Sequence, residues 1–278
     1  MALVALVSVS FAPPARAEDT ITTQPYVDLL NLGALKELGI SGKGITIALF
    51  DGPVDTSAPE LAGANIVDKS RCTVNDSPDG VRHATDMATL LVSPYTGVAP
   101  DATLYTYQAI TEDSQPGGTC RNGADAADSI DKLINQAVDD GAQIISMSLS
   151  NSDNGSELKW AIARAISEGV IIVSSSGNGA TNQNHSHLGK WSGVVGVSAI
   201  NTDGTFASYS SWGNGVVTAA VGGPVNTVDA NTGAPTTTSG TSNATALVSG
   251  MLALARQKWP NATPNQILQS LVHSGLNP

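Results

Sequence analysis

Three side chains of complementary chemistry stand at turn-like positions of the chain. Asp51 opens Asp51-Gly52-Pro53, His83 precedes Ala84-Thr85-Asp86, and Ser242 lies within Ser239-Gly240-Thr241-Ser242-Asn243-Ala244-Thr245-Ala246. A serine hydroxyl is a poor nucleophile until a base removes its proton, and imidazole suits that task because it titrates near neutrality. A buried carboxylate fixes the imidazole tautomer and stabilises the imidazolium that forms. The serine segment opens an apolar run from Ala244 to Ala255, broken only by small or hydroxyl residues. That is the pattern of a buried helix. Ser242 therefore falls in a first helical turn, where free N–H groups and the positive end of the helix dipole favour negative charge. An acyl-transfer nucleophile gains there, because its oxyanion forms within reach of those donors. Singly, each residue also has a plain structural reading: Ser242 as a helix-capping hydroxyl, Asp51-Gly52-Pro53 as a turn, His83 as a polar residue at a helix start.

The elements that must position these residues alternate. Ile45-Thr46-Ile47-Ala48-Leu49-Phe50 is near-continuously apolar, as in a strand buried on both faces, and it stops at Asp51. Further strands are expected at 103–107, 143–149, 170–173 and 193–197. Helices are expected at 25–38, 82–92, 124–138, 158–167, from Ser242 onward, and 264–271. The segment Asn231 to Thr238 shows neither helix nor strand period. Strands alternating with helices predict an α/β fold, a three-layer, doubly wound, mostly parallel sheet. Such sheets bind ligands beyond the carboxyl ends of their strands. Asp51, Ser148 to Ser150 and Ser174 to Asn178 all follow expected strands, so their loops should converge on one crevice.

The chain has 278 residues, 41% apolar and 13% charged, with a formal net charge of −11. This suffices for one large domain with a sizeable core. The acidic balance argues against nucleic acid as a partner, which needs a basic face. Met1 to Ala12 is an apolar run too short to span a bilayer comfortably, and Ala15-Arg16-Ala17 supplies a small-x-small cleavage site. The expectation is a signal peptide over 1–17, although no Lys or Arg precedes the run, and a secreted, extracellular domain over 18–278 with no membrane segment. In that setting Cys72 and Cys120 are expected to form one disulfide, with two unpaired thiols as the alternative. His185 and His187 fit a surface loop, and no metal site is expected from them.

Seven motifs in order carry a resemblance to the subtilisin-like serine proteases, the subtilase family. They are Asp51-Gly52-Pro53-Val54-Asp55 with Pro59-Glu60-Leu61; His83-Ala84-Thr85-Asp86-Met87-Ala88; Gly97-Val98-Ala99-Pro100-Asp101-Ala102; Ser146-Met147-Ser148-Leu149-Ser150; Ser175-Ser176-Gly177-Asn178; Ala207-Ser208-Tyr209-Ser210-Ser211-Trp212-Gly213; and Ser239-Gly240-Thr241-Ser242-Asn243-Ala244-Thr245-Ala246. The order Asp, His, Ser is also that of subtilisins. The resemblance implies Ser242 as nucleophile, His83 as general base and Asp51 as its orienting carboxylate. It implies that Asn178 donates its side-chain amide to the oxyanion together with the Ser242 N–H. It implies that Ser148, Leu149 and Ser150 pair with an extended substrate backbone, and that Ser175, Ser176 and Gly177 line the pocket for the side chain before the cleaved bond. The implied function is a serine endopeptidase acting on peptides or proteins through an acyl-enzyme, as a monomer, with no cofactor for catalysis. The acidic composition permits structural calcium, for which no loop can be picked out.

The departures from the family pattern are local. Ala84 replaces a glycine, so a methyl would crowd a backbone that normally approaches closely. Asp86 replaces a second histidine one turn from His83, and a carboxylate there favours the imidazolium, so a base needing higher pH is expected. Ser150 replaces a glycine of the substrate strand, narrowing the pocket entrance. Asn243-Ala244-Thr245 matches a glycosylation triplet, discounted because sugar beside Ser242 would block the cleft. Between Ala17 and Ile45 there is no room for a folding propeptide. The alternative reading is a catalytically inactive, peptide-binding subtilase fold. An esterase would show Gly-x-Ser-x-Gly and the order Ser, Asp, His, and neither is present.

Overall fold

The structure, a computed structural model, describes residues 20–120, 129–149, 155–182 and 188–274. The expected signal peptide, Ser150, His185 and His187 lie outside the described residues. Two short helices, α1 (Pro25–Leu29) and α2 (Leu32–Glu37), stand where one was expected. Asn31 between them has φ 50°, a left-handed conformation that Asn tolerates and that no right-handed helix continues through.

The chain then runs β1 (Thr46–Asp51), β2 (Ile66–Asp68), β3 (Asn75–Asp76), α3 (Pro78–Val92), β4 (Thr103–Gln108), β5 (Ser114–Gln115) and α4 (Ile130–Asp139). It continues through β6 (Ile144–Met147), α5 (Ser156–Ser167), β7 (Ile171–Ser175), β8 (Val194–Asn201) and β9 (Val216–Gly223). The hairpin β10 (Val225–Val228) and β11 (Pro235–Thr238) precedes α6 (Thr241–Lys258) and α7 (Pro264–Ser274).

Seven strands make one sheet in the order β2-β4-β1-β6-β7-β8-β9, every neighbouring pair parallel. β1 sits inside it, between β4 and β6, so the chain departs from β1 toward both edges. Its side chains alternate between two cores. Ile47 and Leu49 pack with Met87 and Leu91 of α3 and Leu247 and Leu252 of α6. Ala48 and Phe50 pack with Leu133 and Ile134 of α4 and Leu158 and Ile162 of α5. This is the three-layer α/β arrangement, and it explains why β1 reads as a continuous apolar run.

The stretch read as having no period, 231–238, ends in β11, which pairs antiparallel with β10. Pro235-Thr236-Thr237-Thr238 is polar on both faces and largely exposed, so no apolar alternation marks it. Among the described residues no helix is long and apolar enough to cross a membrane. Cys72 and Cys120 are joined by a disulfide, with Cα atoms 4.9 Å apart.

Candidate active site

Asp51 is the last residue of β1, at the carboxyl edge of the sheet, and is 2% exposed. Its Oδ1 accepts the Gly52 N–H at 2.8 Å and lies 3.1 Å from His83 Nδ1. His83 is in the second turn of α3, not at its start. The helix begins four residues earlier than the sequence suggested, because Pro78 occupies its first position and the Ser77 hydroxyl caps it by accepting the Gly80 N–H at 3.1 Å. Thr85 ties the same helix to the loop after β1: its Oγ1 accepts the Asp55 N–H at 3.0 Å. Ala84 is fully buried while the Asp51–His83 contact is kept, so the extra methyl is accommodated.

Ser242 is the second residue of α6. It exchanges hydrogen bonds with the end of β6: its hydroxyl donates to the Ser148 carbonyl at 3.3 Å, and the Ser148 hydroxyl donates to the Ser242 carbonyl at 3.1 Å. The helix is pinned to the sheet lower down, where the buried Ser249 hydroxyl meets that of Ser146 at 2.9 Å. Asn243 is 2% exposed and its amide donates to the Gly222 carbonyl at 3.0 Å, which leaves its glycosylation triplet inaccessible.

Asn178 follows β7. Its Oδ1 accepts from both the Thr241 N–H, at 2.8 Å, and the Thr241 hydroxyl, at 2.9 Å. With the oxygen held twice, the amide nitrogen is left as the outward group. A Cβ placed on Gly240 would sit 3.4 Å from Asn178 Nδ2 and 3.7 Å from the Ser242 nitrogen. The Asn178 Oδ1 lies 3.8 Å from the same point, so the side-chain nitrogen of Asn178 and the backbone nitrogen of Ser242 both stand near the bare Gly240 backbone. Thr241, whose hydroxyl also accepts the Gly177 N–H at 3.2 Å, was not singled out from sequence. It stood beside the nucleophile candidate as an ordinary helix-start threonine.

These residues line one cleft of about 350 Å³: Asp51, His83 and Ser242, together with Ser148, Leu149, Ser175, Gly177 and Asn178. Ser176 does not belong to it. It is fully buried and its hydroxyl donates to the Ser211 carbonyl at 2.9 Å. Successive residues of an extended chain face opposite ways, so Ser175 and Gly177 turn to the cleft and Ser176 turns away. Glu112 and Asp113 also line the cleft, unforeseen from sequence.

Burial is the largest single influence on His83 and disfavours its imidazolium, but the charge and hydrogen bond of Asp51 together with nearby carboxylates outweigh it. Asp86 and Asp113 act in the same direction, and the imidazole is pushed up to about 9. Asp86 is less free than the sequence implied. It is buried, paired with Arg82, and accepts the Thr227 hydroxyl of β10 at 2.8 Å on each oxygen. Among the described residues no group of three or more His, Cys, Asp or Glu is placed to hold a metal ion, so the calcium expectation acquires no site.

Residues 42–277 match the model of the subtilase family. The chain is 32% identical over 262 residues to a thermostable alkaline protease of Halalkalibacterium halodurans, covering 92% of this chain and 69% of that protein. It is 28% identical to subtilisin E of Bacillus subtilis, covering 92% of this chain and 67% of the relative. The prenylagaramide maturation protease PagA superposes with a TM-score of 0.72 at 24% identity, over 89% of this chain and 88% of PagA, a likeness of fold. The chain belongs to the subtilase family and is a subtilisin-like serine-type endopeptidase, acting on peptide or protein substrates without a cofactor for catalysis.

Proposed function

We propose that Ser242 is the nucleophile, His83 its general base and then acid, and Asp51 the carboxylate that orients the ring. In this reading the Ser242 oxygen attacks the substrate carbonyl as His83 takes its proton. The resulting oxyanion is received by Asn178 Nδ2 and the Ser242 N–H. His83 returns the proton to the leaving amine, and a water then hydrolyses the acyl-enzyme. Ser148 and Leu149 offer backbone to an extended substrate, and Ser175 and Gly177 receive the side chain before the cleaved bond. The observation that supports this best is the pair of donors flanking Gly240, fixed by the anchoring of Asn178 on Thr241. Export through residues 1–17 is part of the same proposal.

One contact favours a second reading, an inactive peptide-binding protein: the Ser242 hydroxyl is directed at the Ser148 carbonyl rather than at His83. Catalytic hydrogen bonds are often loose without substrate, and a substrate strand pairing with Ser148 would release that hydroxyl. A fluorophosphonate probe separates the two. Labelling of the wild type but not of Ser242→Ala is expected for the enzyme. No labelling of the folded wild type would sink the triad assignment.

A further inference from the structure

The β3–β5 ribbon stands beside His83 as a clamped wall. Asn75 pairs with Gln115 and Asp76 with Ser114, and the Cys72–Cys120 disulfide ties the two arms together. The Val74 N–H donates to Gln108 Oε1 and the Asn75 amide donates to the Pro116 carbonyl, both at 2.8 Å. The turn entering β5 brings Thr111, Glu112 and Asp113 into the lining of the cleft that holds His83 and Ser242. It meets α3 so closely that a Cβ on Gly80 would lie 2.7 Å from Asp113 Cβ. The Ser77 N–H donates to the Asp113 carbonyl at 3.1 Å, fixing the turn against the helix start.

The wall carries two carboxylates that no described side chain pairs with in a salt bridge. Neither the Glu112 nor the Asp113 carboxylate has an ion-pair partner among the described residues. Behind them, Asp76 Oδ1 accepts the Ser114 hydroxyl at 2.7 Å, while its Oδ2 is buried without a partner. Arg82, next to His83 in sequence, is turned away onto Glu60 and Asp86. His83 is the one basic residue among those lining the cleft. A substrate covering this wall removes water from two carboxylates, which favours a ligand that brings the counter-charge.

Strand alternation says which substrate residue meets the wall. If the residue before the cleaved bond enters the pocket at Ser175 and Gly177, the residue preceding it points the opposite way, toward His83, Glu112 and Asp113. We propose that this ribbon forms a subsite selecting a cationic side chain, lysine or arginine, at the second residue before the cleaved bond. The assignment rests on the triad reading above for the position of that bond. A guanidinium or ammonium at the end of its stem reaches the two carboxylates, whereas an acidic side chain adds like charge.

The test is peptide binding by calorimetry to the full Ser242→Ala chain, with peptides that differ only at that position. Arginine is expected to bind about tenfold tighter than alanine, and glutamate about tenfold weaker, the differences shrinking at high salt. In the double variant Glu112→Gln with Asp113→Asn, the arginine-to-alanine ratio falls to within about twofold. The ratio is internal, so partial unfolding of the variant scales both peptides alike. Equal binding of the three peptides to Ser242→Ala overturns the subsite, while fluorophosphonate labelling of wild type in that same case leaves the triad standing. An arginine preference in a chain that takes no label supports the wall and overturns the triad.

Discussion

Asn178 holds the first residue of α6 by its side-chain oxygen, accepting the Thr241 N–H at 2.8 Å and the Thr241 hydroxyl at 2.9 Å. The contact joins the residues after β7 to the start of α6 and engages the oxygen end of the amide. The donor aimed at the cleft and the helix that presents Ser242 are therefore positioned by one side chain.

Substituting Asn178 separates those two duties. Asn178→Asp keeps the anchoring oxygen but loses the donor, so kcat is expected to fall about 10²–10³-fold with little change in Tm, the loss measured when the same type of donor is removed from a subtilisin. Asn178→Ala loses both, and an additional destabilisation of about 1–2 kcal/mol is expected from the unpaired Thr241 groups. Thermal melts beside kcat measurements check the pair. Equal melting losses in the two variants would contradict the anchoring role.

Gly240→Ala tests the space between the donors. Gly240 has φ −179°, extended backbone that any residue adopts, so the fold should tolerate a methyl. That methyl would stand 3.4 Å from Asn178 Nδ2, the donor proposed to receive the substrate oxygen. The expected outcome is a loss of kcat/KM of at least about 100-fold with a nearly unchanged melt, the cost of denying the oxyanion its donors. Full activity would mean that the oxygen binds elsewhere.

The pH dependence follows from His83. As the proposed general base it must be neutral to accept a proton, and the carboxylates of Asp51, Asp86 and Asp113 hold its imidazole up to about 9. The kcat/KM of the free enzyme should therefore climb through the neutral range, reach half its plateau near pH 9 and level off above it. Asp86→Asn removes one of those charges and should move the limb to lower pH. Linkage gives the matching stability effect. The folded value lies above the ordinary 6.5, so the protonated ring stabilises the fold below about pH 6.5, and this contribution fades as pH rises through about 9. A pH–rate profile with its limb near 6.5 or an acidic optimum would contradict the arrangement.

The parts of the fold that were legible in sequence are those whose burial is uniform. β1 and the stretch of α6 from Ala244 to Ala255 are mostly apolar because they are covered by the rest of the fold, and their ends carry Asp51 and Ser242. What was not legible depends on contacts distant in sequence. β2 is three residues long with two of them exposed, so no alternation marks it. The start of α3 was hidden behind Pro78, Asp79 and Gly80, residues that signal turns until the Ser77 cap is seen. Asp86 was read as a neighbour of His83, yet its hydroxyl partner Thr227 lies 141 residues away. Glu112 and Asp113 belong to a segment whose place in the cleft is set by the ribbon and the disulfide, not by any local pattern.

The disulfide should contribute to stability as well as to that placement. It spans 48 residues, and closing a loop of that length in the unfolded chain is worth about 4 kcal/mol in the chain-entropy model. Cys72→Ser with Cys120→Ser, or wild type under reductant, should lower the urea midpoint correspondingly. An unchanged midpoint would show that the ribbon is held by its hydrogen bonds alone.

The last prediction concerns the ion pairs beneath His83. Arg82 reaches Glu60 at 2.7 Å and also pairs with Asp86, and the three side chains are 4–14% exposed. Arg82 is the described cation that pairs with either carboxylate, so removing it strands two buried negative charges rather than deleting one favourable contact. Arg82→Ala is expected to destabilise the protein by about 3–5 kcal/mol. Replacing the carboxylate instead, as Asp86→Asn, keeps a partner for the Thr227 hydroxyl and leaves Arg82 paired with Glu60, so its cost should be clearly smaller. Urea unfolding of both variants decides the matter: equal losses would mean that the network acts through packing of the Arg82 stem and not through charge.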